Sequence, residues 1–209
     1  MTSELQRAVE IMDRLRSPGG CPWDAQQTHE SLTRYLLEEA YEVLEAIETN
    51  DLTLLREELG DLLLQVLFHA RIAQELPPGQ AFGIEDVAGD LTEKLIRRHP
   101  HVFADTNVRD VEEQVELWER LKVAEKGRTS ATDGVPLAQP ALALAAKLVD
   151  RARHAHLEPH PGPTDDIGER LLAVVADAVE RGVDPEAALR RTARAYRDAM
   201  IADEGAAPR

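Results

Sequence analysis

Two short acidic clusters, separated by 15 residues, lie in a stretch that reads as helix, turn, helix: Glu38-Glu39-Ala40-Tyr41-Glu42 and Glu58-Leu59-Gly60-Asp61. Residues three or four apart share one face of an α-helix. Glu39 with Glu42, and Glu58 with Asp61, therefore form two carboxylate pairs that a helical hairpin can bring face to face. Four carboxylates so arranged repel one another unless a cation lies between them. Hard divalent ions, Mg²⁺ with Mn²⁺ as a substitute, take oxygen ligands of this kind. The competing reading of any glutamate-rich helix is a solvated face. It is weakened here because Glu58 directly precedes Leu59, and Asp61 directly precedes Leu62-Leu63-Leu64, so the second pair borders an apolar helix.

Basic and aromatic residues follow at helical spacing. Lys94 and Arg98 are four apart near the end of one helix, and Trp118 and Lys122 are four apart on the next. The three cations suit the oxygens of a triphosphate, and the indole suits stacking on a base or ribose. Each also has an ordinary role, since cations near a helix C-terminus complement its dipole and a lone tryptophan is commonly core. Other chemistry is poorly supported. His99 with His101, and His154 with His156, are two apart and so lie on different helix faces, with no Cys or His partner at zinc spacing. Cys21 has no basic sequence neighbour to activate its thiol. A di-iron carboxylate bundle needs Glu-x-x-His pairs, but three residues after Glu38, Glu39, Glu42 and Glu58 stand Tyr41, Glu42, Glu45 and Asp61.

The elements that must position these groups are helices. Leu5, Ala8, Val9, Met12 and Leu15 follow the helical period over residues 3–16, with Ser3 and Gln6 at capping-box spacing. Ser17-Pro18-Gly19-Gly20 ends that helix, and Cys21-Pro22-Trp23-Asp24 reads as an irregular turn. A second helix is expected over about 31–48, burying Leu32, Leu36, Val43, Leu44 and Ile47. Asp51 is the N-cap of a third that reaches about residue 74 and is apolar around most of its circumference, the mark of a central bundle helix. Further helices are expected over 84–98, 110–126, 140–155, 166–181 and 185–201, the last opened by Asp184-Pro185. No segment has the alternation of a strand, so the expected fold class is all-α. Its expected organisation is a catalytic domain over 1–126, a linker over 127–139 and a helical region over 140–209.

The balance of 43% hydrophobic and 30% charged residues is that of a globular chain long enough to bury a sizeable core. A net charge of -15 argues against a nucleic-acid backbone as partner, because that requires a basic surface. No apolar run approaches the ~20 residues needed to span a bilayer, and no basic-then-apolar leader opens the chain. A single cysteine cannot form an internal disulfide, which fits a reducing compartment. The expectation is a cytoplasmic protein that binds neither nucleic acid nor membrane.

Taken in order, several stretches carry a resemblance to a known family. They are Cys21-Pro22-Trp23-Asp24 with Gln27-Thr28, Leu37-Glu38-Glu39-Ala40-Tyr41-Glu42-Val43 and Glu58-Leu59-Gly60-Asp61-Leu62-Leu63. Lys94-Leu95, Arg97-Arg98-His99-Pro100-His101-Val102-Phe103, and Trp118 with Lys122 continue the set. The chain resembles the MazG family of nucleoside triphosphate pyrophosphohydrolases from residue 1 to about residue 126. The resemblance implies an all-α helical bundle, with a metal site on a helix-turn-helix pair, that works as a homodimer. It implies Mg²⁺-dependent hydrolysis of nucleoside and deoxynucleoside triphosphates to monophosphate and pyrophosphate, a housecleaning of nucleotide pools. Glu39, Glu42, Glu58 and Asp61 correspond to the metal ligands, with Glu38 adjacent, ligating or positioning water. Lys94, Arg98 and Lys122 correspond to phosphate contacts, and Trp118 to a residue near the nucleoside. Where similar proteins carry a basic residue three positions before the first motif glutamate, this chain has Tyr35, and the neighbouring Arg34 lies on another face.

The family often carries two such domains, and the C-terminal region resembles a degenerate second one. Asp166-Ile167-Gly168-Glu169 stands where another Glu-Leu-Gly-Asp would fall, yet the interval 140–165 holds no Glu-Glu-x-x-Glu and Glu158 alone among glutamates, and Ala195 and Ala199 replace the basic pair. Half a carboxylate set cannot hold the same ion, so this region is expected to be structural. Two alternatives stand beside the main reading. One is a related all-α pyrophosphohydrolase with a narrow substrate, dUTP, dCTP or phosphoribosyl-ATP. The other is a non-catalytic helical interaction or regulatory protein that kept the fold.

Overall fold

Capping chemistry sets the helix boundaries in the computed structural model, which describes residues 3–104, 109–111, 113–115, 117–118, 121, 130–158 and 166–206. Helix α1, Glu4–Arg16, starts where the Ser3 hydroxyl accepts from the Gln6 amide at 3.1 Å. It ends before Gly19 and Gly20; Gly19 has φ +84°, and a Cβ at Gly20 would collide with the carbonyls of Arg14 and Leu15. Pro22 then occupies the first turn of a short helix α2, Pro22–Gln26, where the irregular turn was expected. Its missing N–H needs no partner at that position, so the motif turns into helix rather than running on as loop.

Helix α3, His29–Thr49, opens with a capping box between Thr28 and Ser31 and closes on Asn50 in the left-handed conformation, φ 56°. Asp51 caps α4, Leu52–Ala73, as expected: its Oδ1 accepts from the amides of Thr53 and Leu54, both at 3.0 Å. Two residues thus connect helices of 21 and 22 residues into an antiparallel hairpin. Asp86 accepts from the Gly83 amide at 2.7 Å to open α5, Ile84–Arg98, and α6, Pro100–Phe103, follows it. Helical backbone recurs at 111, 113–115, 117–118 and 121, within the span expected for the next helix.

These elements form one compact unit over Met1–Trp118. Its core joins Met12 of α1, Leu32 of α3, and Leu67, Phe68 and Ile72 of α4, with Val9, Tyr35 and Ile84 packed on it. Trp23 meets both Tyr35 and Phe68 edge-on, with centroids 6.0 and 6.3 Å away. Arg16 locks this corner. Its guanidinium is bidentate to Glu75, both contacts at 2.9 Å, and donates to the carbonyls of Asp24 and Gln27 at 2.6 and 2.9 Å. The Cys21–Asp24 motif is therefore held by a charged clamp between the end of α1 and the end of α4. Leu36 and Ile47, expected to be buried, are 37% and 56% exposed, because α3 turns their side away from this core.

The second unit, Glu119–Arg209, holds α7, Ala141–His154, α8, Ile167–Glu180, and α9, Pro185–Ala206. Val175 of α8 is its buried centre, and the Arg153 side chain donates to the Val179 carbonyl at 3.3 Å. Asp184 caps α9 through the amides of Glu186 and Ala187, at 2.9 and 3.2 Å. No strand occurs among the described residues, and no helix among them is long and apolar enough to cross a membrane.

Candidate functional site

The α3–α4 hairpin brings the two acidic clusters together. Residues equidistant from Asn50 face one another, which sets Glu39 against Asp61 and Glu42 against Glu58. One carboxylate oxygen from each of Glu39, Glu58 and Asp61 lies within 4.8 Å of the other two. Oxygens around an octahedral Mg²⁺ stand about 3 to 4.2 Å apart, given ligand distances of about 2.1 Å.

Their electrostatics point the same way. Glu58 is 9% exposed, and Glu39 and Asp61 are half-buried. Burial raises the Glu39 carboxyl above its ordinary range, with a hydrogen bond to Glu42 and the charges of Asp61, Glu42 and Glu58 adding to it. Burial also raises Glu58, followed by the charges of Glu42, Asp61 and Glu57. Among the described residues, no cationic side chain contributes to either shift. These are acids that release their protons reluctantly, a state a divalent cation would reverse.

Of the residues singled out in the sequence, Glu39, Glu58 and Asp61 converge, and Glu42 joins them through Glu39. Glu38 is exposed beside them and outside the three-oxygen group. Lys94 and Arg98 are half-buried, one turn apart on α5, which packs on α4. Trp118 is 39% exposed, and Lys122 lies outside the described residues. Tyr35 takes no basic role; the Arg34 guanidinium stacks over its ring at 4.4 Å and donates to its hydroxyl.

Two polar features of the hairpin were not read from the sequence. Gln65 is 4% exposed, and its Oε1 is buried without a hydrogen-bond partner among the described residues. His29 and His69 stack with centroids 5.0 Å apart and their Nδ1 atoms 2.7 Å apart, while His69 Nε2 is buried without a partner among those residues. Burial, then the His29 charge, lowers the affinity of His69 for a proton. The signal for both was present: Glu58, Asp61, Gln65 and His69 fall on one helical strip.

An all-α hairpin that gathers three carboxylate oxygens from two helices is an arrangement that could hold a metal ion. Residues 27–103 match the MazG nucleotide pyrophosphohydrolase domain. The chain is 40% identical to the nucleoside triphosphate pyrophosphohydrolase/pyrophosphatase MazG of Thermotoga maritima, over 91% of this chain and 82% of that protein. It is 53% identical to an uncharacterised 26.1 kDa protein of the blaB 3′ region of Streptomyces cacaoi, over 97% of this chain and 84% of that one. Identity to the nucleoside triphosphate pyrophosphohydrolase of Mycobacterium tuberculosis is 45%, over 95% of this chain and 58% of that protein. The chain belongs to the MazG family.

Proposed function

We propose that this protein is a Mg²⁺-dependent hydrolase that converts nucleoside and deoxynucleoside triphosphates to monophosphate and pyrophosphate, as a housecleaning activity on the nucleotide pool. The observation that carries the proposal is the convergence of Glu39, Glu58 and Asp61 oxygens within 4.8 Å, in a chain of this family. Mn²⁺ is the natural substitute ion, since it accepts the same oxygen donors. Glu39, Glu42, Glu58 and Asp61 are the residues that would hold the cation. When bound, it would supply positive charge to the phosphate oxygens and the leaving pyrophosphate.

The chain's own residues do the rest. The carboxylates, Glu38 included, orient a water in line with one phosphorus of the α–β anhydride and take up its proton as the new P–O bond forms and the anhydride bond breaks. Lys94, Arg98 and Lys122 hold the phosphate oxygens, and Trp118 stacks against the nucleoside. Glu42→Gln and Asp61→Asn are each expected to abolish Mg²⁺-dependent pyrophosphate release while helical circular dichroism persists. Wild-type turnover in both variants would sink the assignment. A panel of ordinary and modified triphosphates, run with Mg²⁺ and with EDTA, reads the substrate range.

The same reading places catalysis in residues 1–126 and a structural role in 140–209. Asp166 supports that division, because its Oδ1 is spent capping α8, accepting from the amides of Gly168 and Glu169 at 2.6 and 3.3 Å. A homodimer belongs to it as well. Leu59, Leu63 and Val66 form a stripe on α4 that is 38–49% exposed, an apolar face suited to a second copy. A cytoplasmic site of action, with no nucleic-acid partner, accords with the lone cysteine and the charge of -15.

A further inference from the structure

One turn inward from the carboxylates, the hairpin buries an amide that packing alone does not require. Gln65 is 96% buried, and its Oε1 meets no donor among the described residues. An acceptor removed from water and left unpaired is costly, whereas an apolar side chain of similar length would fill the position without that penalty. The following positions, Val66, Leu67 and Phe68, show that apolar residues are the rule along this part of α4.

Helix geometry defines where the carbonyl can look. At about 100° per residue, position 65 falls between the azimuths of Glu58 and Asp61. Helical side chains also lean toward the N-terminus, over the preceding turn. Gln65 therefore leans toward Asp61. Across the hairpin lies Tyr35, whose hydroxyl accepts from Arg34 and makes no hydrogen bond to the Gln65 carbonyl. His69 Nε2, one turn further along, is also unpartnered among the described residues, and it does not bond to Gln65. The polar groups that share its strip of α4, Glu58 and Asp61, and Glu39 that converges on them, are acceptors when ionised. A carbonyl set among acceptors needs a donor of another kind. Water around a hard cation turns its oxygen to the ion and its hydrogens outward, and Mg²⁺ keeps several such waters.

We propose that Gln65 is a positioning residue of the carboxylate site: its Oε1 accepts a hydrogen bond from a water in the coordination sphere of the cation held by Glu39, Glu58 and Asp61. The proposal rests on the cation reading given above. It assigns Gln65 the orientation of that water, and through it both the hold on the ion and the rate of hydrolysis.

The test is Mg²⁺ titration calorimetry on the full chain without nucleotide, paired with pyrophosphate release at saturating Mg²⁺, for wild type, Gln65→Leu and Gln65→Glu. Gln65→Leu should weaken Mg²⁺ binding about 10- to 100-fold. Its kcat should fall while the nucleotide KM at saturating Mg²⁺ stays within about twofold, since uniform substrate binding is untouched. Metal-free melting should be unchanged or higher, the opposite of what a purely structural loss would give. Gln65→Glu retains the acceptor oxygen and should bind Mg²⁺ at least as tightly as wild type. Equal Mg²⁺ affinity and kcat in Gln65→Leu and wild type would overturn the Gln65 role alone. So would a Gln65→Glu variant that melts normally yet loses the ion, because the amide N–H would then be the group that matters. Absence of Mg²⁺ binding in the wild type would overturn the cation reading, and this proposal with it.

Discussion

At the residue scale, the carboxyls of Glu39 and Glu58 show what crowding these acids together costs. Burial first, then neighbouring charge, raises both above their ordinary range. The folded protein therefore binds more protons there than the unfolded chain does. By linkage, this contribution to stability falls as pH rises through the raised carboxylate range. A cation that takes the place of those protons offsets the loss. The Mg²⁺-induced rise in melting temperature should accordingly be larger at pH 7.5 than at pH 5, measured by differential scanning fluorimetry with and without EDTA. Glu58→Gln removes one of the crowded charges. It should raise the metal-free melting temperature, abolish the Mg²⁺ shift and lower pyrophosphate release by about 100-fold or more. A substitution that stabilises the fold while destroying activity separates a site residue from a scaffold residue.

At the element scale, the hairpin depends on two contacts outside the site. The Asp51 cap aligns the first turn of α4, so Asp51→Ala should cost about 1 kcal/mol in urea unfolding. The Arg16 clamp ties the other end. Its guanidinium hydrogen bonds hold the Glu75 carboxyl below its ordinary range, helped by the Arg16 and Arg71 charges against a smaller opposing effect of burial. Here the sign is the reverse of the site's. The stability contributed by Glu75 is present above its unfolded pKa and is lost as pH falls through the lowered folded value. Glu75 is 44% exposed, so solvent screening limits the effect. Glu75→Gln should destabilise the protein by about 1–2 kcal/mol at pH 7, with the difference from wild type shrinking below about pH 4. The Cys21–Asp24 motif is a scaffold motif on this account, since Arg16 binds the Asp24 carbonyl rather than its carboxylate.

At the scale of the whole molecule, the open stripe of Leu59, Leu63 and Val66 on α4 is the feature a second copy would cover. If the proposed homodimer forms through this stripe, Leu59→Lys combined with Leu63→Lys should give a monomer in light scattering after gel filtration where the parent chain gives a dimer, with activity falling in step. Much of the first unit was legible in the sequence because its determinants are local. Carboxylates three apart and Asp51 before an apolar run act within one or two turns, so spacing alone predicts the hairpin and the facing pairs. Lys94 and Arg98 were legible as a pair for the same reason, although spacing says nothing of what they touch. What the tertiary structure decided was everything that depends on how one helix is rotated against another. It turned Leu36 and Ile47 outward, drew Glu39, Glu58 and Asp61 within 4.8 Å, and left Glu38 exposed. It also buried the Gln65 carbonyl and joined Arg16 to Glu75 across 59 positions of sequence. Helical period fixes which residues share a face, but only packing between distant segments selects the face that closes over the site.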